Sequence, residues 1–290
     1  MESSSGVERL REVCDRLQVD VFGPTFFYSV FNKDCTWTLG SGSFGSCSVA
    51  SVGDSWWVAK TCVDSPWIIN SLVGEIEALW DLQGLAGVQK LIGVCPETLT
   101  LITEFSGETW ATVLERGQSV QENLVVISQV CRIVETIHAR GWVHVDIKAN
   151  NICLQYTIEG IQVTIIDFGL AMLIGKQCNF QKGAQSTHIA PEVLENHPCT
   201  PAADVYSIGR MFELSAYYCD LKDHFAVRLY MTQALKPRIH LRPGLEKLTE
   251  ECSKALIMER RYIAISTGTM PQESDTAVGY GRHSQATQLA

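Results

Sequence analysis

Between two stretches of β-type sequence lies Gly40-Ser41-Gly42-Ser43-Phe44-Gly45. Glycines at this spacing let a backbone come close to phosphate groups and adopt conformations that a Cβ forbids. A dinucleotide-binding glycine loop runs from a strand into a helix, whereas here a second strand follows. Val58-Ala59-Lys60 closes the third β-type run and brings an ammonium near the phosphates that such a loop covers. Glu75, on the helical stretch that follows, is placed to pair with Lys60. Taken singly, each feature has a plain explanation. The loop reads equally well as a glycine-rich hairpin, and an exposed Lys–Glu pair is worth ~0–1 kcal/mol. Their order along one chain favours a site that handles phosphate.

The strongest signal lies further on, in His144-Val145-Asp146-Ile147-Lys148-Ala149-Asn150-Asn151, then Asp167-Phe168-Gly169, then Ala190-Pro191-Glu192. With the glycine loop, Lys60 and Glu75, these segments follow the order and compatible spacing of the eukaryotic-type protein kinases. From about Thr36 to Arg261 the chain resembles that family, as a divergent, compact member of its serine/threonine class. The resemblance implies an α+β, bilobal protein kinase-like fold, with a small antiparallel β-sheet lobe carrying one key helix and a larger helical lobe. It implies transfer of the γ-phosphate of ATP to protein hydroxyls, with Mg²⁺, or Mn²⁺ in its place, as the cofactor.

Residue roles follow from the same resemblance. Phosphoryl transfer asks a protein for positioning and charge neutralisation more than for covalent chemistry. Lys60 would hold the α- and β-phosphates, with Glu75 fixing its orientation. Asp146 would accept or orient the proton of the substrate hydroxyl, and Lys148 would stabilise charge on the γ-phosphate. Asn151 and Asp167 would ligate the metal, as oxygen donors suited to a hard cation. Leu39, Cys47 and Ala59 would cover the adenine from above and Cys153 from below. Thr103 would be the gatekeeper, with Glu104 and Phe105 at the hinge, and Glu108 would reach the ribose or a basic substrate residue. Lys148, two residues after the catalytic aspartate, is the pattern of the serine/threonine class. Asp204 matches a buried helix aspartate that anchors the catalytic loop, and Arg260 or Arg261 is the expected partner of Glu192.

Three departures stand out. Val145 replaces the arginine that pairs with a phosphorylated activation loop in relatives, so a requirement for loop phosphorylation is not expected. Gln185 occupies the place of a threonine that normally touches the catalytic aspartate and lysine. Cys47 stands where a valine is usual. A catalytically dead, nucleotide-binding scaffold is the main alternative, but Lys60, Asp146, Asn151 and Asp167 are all present. A small-molecule kinase is a further alternative, against which Ala190-Pro191-Glu192 speaks.

These groups need elements to hold them. Short β-type runs cover Thr36–Leu39, Cys47–Val52, Trp56–Cys62, Val88–Val94 and Leu99–Phe105, with a helical stretch through Ile76, Leu79 and Leu82 among them. Leu124, Ile127, Cys131, Val134 and Ile137 recur at helical spacing. Ile161–Ile166 reads as a strand, and Asp204–Tyr217 and Leu245–Met258 read as helices. A β-rich first half and helix-rich second half predict two lobes. Residues 1–35 form an amino-terminal extension, 36–265 the kinase domain, divided near 105, and 266–290 a poorly ordered tail.

Composition sets outer limits. The chain has 290 residues, 46% hydrophobic and 19% charged, with a formal net charge of −9. That balance argues against general affinity for nucleic acid or anionic membrane, and no stretch approaches the ~20 apolar residues of a membrane span. Eleven cysteines without a C-x-x-C pair suggest reduced thiols, and hence cytoplasm or nucleus. Partners are expected to be ATP and protein substrates. Val7, Leu10, Cys14 and Leu17 outline an amphipathic helix near the amino terminus, placed to dock on the small lobe and steady Glu75. Deleting residues 1–20 should therefore alter the kinetics of phosphate transfer; unchanged kinetics would dismiss that role.

Overall fold

The computed structural model describes residues 5–32, 36–42, 45–218 and 225–267. Ser43, Phe44 and residues 268–290, including most of the expected tail, lie outside the described residues. The chain opens with α1 (Gly6–Leu17), started by a capping box between Ser5 and Glu8. Next comes the short α2 (Pro24–Val30). Strands β1 (Thr36–Gly42), β2 (Gly45–Val52) and β3 (Ser55–Cys62) precede α3 (Pro66–Asp81), and β4 (Leu91–Cys95) and β5 (Thr100–Glu104) complete the small lobe. Its sheet is antiparallel, in the order β1-β2-β3-β5-β4.

The sheet uses both faces, because successive side chains in a strand alternate. On one face Leu101 and Cys62 pack with Leu72, Ile76 and Leu79 of α3. On the other, Ala50, Ala59, Cys95 and Ile102 receive Phe27 and Phe31 from α2 and the residue after it. The aromatic segment around Phe27 thus packs on the sheet. Helix α1 lies along α3, burying Leu10, Val13 and Cys14. Arg16 pairs with Glu77, Arg9 bonds Asn70, and Arg11 pairs with Glu97. Residues bonded to α1 therefore flank Glu75 on both sides along α3.

The second lobe starts with β6 (Glu108–Thr109), α4 (Trp110–Arg116) and α5 (Val120–Ala139). Ser119 and Glu122 form a second capping box that starts α5. The stripe predicted by periodicity is the buried face of α5, with Leu124, Ile127, Cys131, Val134 and Ile137 all fully buried. Each such side chain contributes about 1.5–3 kcal/mol by leaving water. After β7 (Trp142–Val143) come β8 (Ile152–Thr157) and β9 (Gly160–Ile165), a hairpin of which only the second strand is evident in the sequence. The chain continues through β10 (Met172–Leu173), α6 (Pro191–Leu194), α7 (Pro201–Tyr218), α8 (Phe225–Ala234) and α9 (Leu245–Thr267). The architecture is the expected α+β, bilobal one.

Two buried charges tie the large lobe together. Glu192 forms a bidentate pair with Arg242, at 2.6 and 2.8 Å, which corrects the expectation of Arg260 or Arg261. Arg242 also donates to the carbonyls of Ala202 and Lys236, so its guanidinium is satisfied on several sides. Asp204 of α7 is fully buried and accepts three hydrogen bonds, from His144 N at 2.9 Å, Val145 N at 2.8 Å and His138 Nε2 at 2.8 Å. Burial disfavours its charge, but the bond from His138 and the other donors outweigh it and keep the carboxyl below its ordinary value.

The nine described cysteines are free thiols, in line with the reduced state expected. Among the described residues no helix is long and apolar enough to cross a membrane. Asp204→Ala should lower stability by about 3 kcal/mol or more, because two buried N–H groups lose their acceptor. Urea denaturation would show it, and an unchanged midpoint would contradict this account of the anchor.

Candidate active site

Strand β3 and helix α3 deliver the first pair. Lys60 Nζ lies 2.7 Å from Glu75 Oε2 and 2.7 Å from Asp167 Oδ1, so one ammonium bridges two carboxylates from distant parts of the chain. Desolvation works against the Lys60 charge, but Glu75 and Asp167 outweigh it and raise its pKa. Glu75 is also raised, because burial exceeds the help it gets from Lys60. For Asp167 the balance tips the other way, and Lys60 lowers it despite burial. Two carboxylates against one ammonium leave a site with a negative excess.

The glycine loop joins β1 to β2, strand to strand as its flanks predict. Gly45 has a φ of 142°, and a Cβ there would come within 1.9 Å of the Thr61 carbonyl oxygen, so no side chain fits. Gly169 is constrained by crowding: a Cβ would sit 2.8 Å from Ser71 Oγ and 3.4 Å from Asp167 Oδ1. Ser71 of α3 donates to the Gly169 carbonyl at 2.7 Å, which fastens the Asp167 loop to the helix that carries Glu75.

Strand register sorts the expected nucleotide contacts. Cys47 is paired directly opposite Lys60, so both face the cleft. Val58 shares that face, paired with Val49 and Thr103. Ala59 does not: it is fully buried on the opposite face, against Phe27, Phe31 and Ile102. The expectation that Ala59 lines the cleft is corrected: adjacent residues of a strand point to opposite sides, and Val58 is the one on the Lys60 face. Leu39 sits exposed at a β-bulge before Gly40 and Ser41, and Cys153 of β8 is buried on the other lobe. Burial raises the Cys47 thiol and pushes Cys153 up to about 12, so apolar packing describes both better than thiolate reactivity.

At the hinge, Phe105 already donates its N–H to the Trp56 carbonyl, 2.8 Å away, which leaves Phe105 only its side chain and carbonyl to offer. Glu104 pairs with Lys90 at 3.1 Å. Glu108 pairs with Arg116, both side chains being exposed. Thr103 is buried, and its hydroxyl accepts from Gln89 Nε2 at 3.0 Å, while Gln89 Oε1 accepts from Asp167 N at 3.2 Å. Gln89 thus links the gatekeeper to the Asp167 loop, a role that its local sequence does not announce.

The catalytic loop gathers the remaining groups. Asp146 Oδ2 accepts from Lys148 Nζ at 2.7 Å and from Asn151 Nδ2 at 2.8 Å. Asn151 Nδ2 also donates to the Asp146 carbonyl at 3.0 Å, which leaves its side-chain oxygen as the group to offer a cation. His144 accepts the Asp146 N–H at Nδ1, 3.3 Å away, and its Nε2 lies 3.1 Å from the Ile166 carbonyl. The second Asp146 oxygen, Oδ1, is met by His188 Nε2 at 2.6 Å. Gln185, which stands in the place of the usual threonine, is exposed on the surface instead.

The protein kinase domain profile matches residues 35–224. The chain is similar to a probable myosin light chain kinase of Dictyostelium discoideum, 31% identical over 159 residues, covering 52% of this chain and 51% of that protein. It is similar to calcium-dependent protein kinase 6 of Oryza sativa subsp. japonica, 30% identical over 183 residues, covering 59% and 33%. A third similarity is to serine/threonine-protein kinase PknA of Mycobacterium tuberculosis, 30% identical over 192 residues, covering 64% and 44%. The chain spans about half or less of the length of these relatives.

Burial opposes the Asp146 charge, yet hydrogen bonds from His188 and Lys148 outweigh it and hold the carboxyl at about 2. A carboxyl lowered on folding adds stability above its unfolded value, roughly 3.9, and loses that stability as pH falls toward the folded value. From about pH 5 to about pH 3, the wild type should lose about 1 kcal/mol more than Asp146→Asn in urea titrations. Equal acid sensitivity would rule out a paired, ionised Asp146.

Proposed function

This chain belongs to the protein kinase family, and from that premise we propose that it transfers the γ-phosphate of ATP to serine or threonine hydroxyls of other proteins. The observation that carries the reading is the junction at Lys60, bonded at once to Glu75 and Asp167. Such a bridge holds the ammonium in the cleft, where phosphates would take over from Asp167 as its second partner. Glu75, buried and unable to leave, keeps Lys60 in place through that exchange.

The transfer breaks the bond between the γ-phosphorus and its bridging oxygen, and forms a new one to the acceptor oxygen. The leaving oxygen stays on ADP, and the acceptor proton is released toward Asp146. A carboxylate held at about 2 is a weak base, so Asp146 chiefly orients the hydroxyl rather than stripping it. Lys148, half-exposed beside it, supplies positive charge to the group in flight. Asn151 and Asp167 would hold Mg²⁺, or Mn²⁺ in its place; both offer oxygen, and the negative excess around Lys60 suits a cation. When bound, that ion neutralises charge on the phosphates. The serine/threonine assignment rests on Lys148 and on the similarity to serine/threonine-protein kinase PknA.

The test is transfer of γ-labelled phosphate to a generic protein and to a degenerate peptide library. Asp146→Asn should reduce transfer at least ~100-fold with nucleotide affinity retained. Nucleotide binding without transfer in the wild type would instead identify a kinase-like scaffold, and labelling of tyrosine peptides alone would overturn the hydroxyl class.

A further inference from the structure

His188 has a set of contacts that the roles above do not use. Its Nε2 lies 2.6 Å from Asp146 Oδ1, and its Nδ1 lies 3.2 Å from Ser186 Oγ. Its backbone carbonyl accepts from Ser207 Oγ of α7 at 2.7 Å, and Ser207 is fully buried. The tautomer follows from the partners. Asp146 is ionised and can only accept, so Nε2 carries the proton. Ser186 Oγ also accepts the Ile189 N–H at 3.3 Å, which fixes the hydroxyl beside Nδ1. His188 is therefore held at both ring nitrogens and at its backbone carbonyl.

We infer that His188 is a positioning residue for the acceptor site: it fixes the plane of the Asp146 carboxylate, the task for which Gln185 is unsuited. This rests on the kinase reading above. A carboxylate has about four lone-pair positions. Lys148 and Asn151 fill the two on Oδ2, and His188 fills one on Oδ1, which leaves a single Oδ1 position to meet an incoming hydroxyl. Without His188 the Oδ1 side is unheld, and the carboxylate can turn about its Cβ–Cγ bond. Helix α7 then serves the loop twice. Asp204 holds the N–H groups before Asp146, and one turn later Ser207 holds the segment that carries His188.

The variants that separate this from a packing role are His188→Gln, which keeps a side-chain N–H at similar reach, and His188→Phe, which keeps the ring alone. Measured on the full chain, His188→Phe should lower kcat roughly 10- to 100-fold at nearly constant KM for ATP, with the fold retained and only a modest fall in Tm. His188→Gln should recover to within about threefold of wild type. Equal rates in wild type and His188→Phe overturn the inference, as does a His188→Gln no faster than His188→Phe. Imidazole nitrogen shifts give a reading independent of transfer: wild-type His188 should show a proton fixed on Nε2, and that fixed state should be lost in Asp146→Asn. A ring averaging between tautomers overturns the inference even if the wild type proves inactive, an outcome that would separately remove the kinase reading.

Discussion

A single buried carboxylate sets the shape of the catalytic loop. Asp204 accepts the N–H groups of both His144 and Val145, and two consecutive amides can point at one acceptor only if the backbone between them turns sharply. The turn is paid for at Val145, a β-branched residue with a φ of 73°. Such a conformation costs on the order of 1–3 kcal/mol and persists only where its surroundings dictate it. Here they do: Val145 is fully buried against Ile189, Ala190 and Val193. The strain aims the next residue, Asp146, into the cleft.

The other side of the cleft is organised by charge. Lys60, Glu75 and Asp167 come from a strand, a helix and a loop, and no two of them are close in sequence. Their meeting requires α3 to be seated correctly, and α3 is held by the sheet, by α1 along its length and by Ser71 at the Gly169 carbonyl. Glu75 and Asp167 shift in opposite directions because burial outweighs Lys60 at the fully enclosed Glu75, while Lys60 outweighs burial at the partly enclosed Asp167. The same chemical group is thus a fixed strut in one place and a partly exposed carboxylate in the other.

Much of this was legible in the residues alone. The lobes, the buried stripe of α5 and the strand-to-strand glycine loop follow from motif order and periodicity, and the convergence of Lys60, Glu75 and Asp167 is what the family resemblance implies. The errors share a cause, which is geometry that motif strings do not carry. The resemblance puts Ala59 over the adenine, yet a strand's alternation turns it away from the Lys60 face, which Val58 shares. The partner of Glu192 proved to be Arg242, whose approach depends on the path of the chain after α8. His188 was passed over because its partner lies 42 positions away, and only the folded activation segment brings the two together. β8 escaped notice because half its residues face solvent and follow no clean alternation.

Gln89 has a bearing on small-molecule inhibitors. Its amide spans from the Thr103 hydroxyl to the Asp167 N–H, and so it stands between β5 and the Asp167 loop. A compound reaching past Thr103 has to break both hydrogen bonds and leave a polar side chain unmatched, unless it supplies a donor and an acceptor of its own. Selectivity in that back region would come from mimicking a primary amide rather than from greasy bulk.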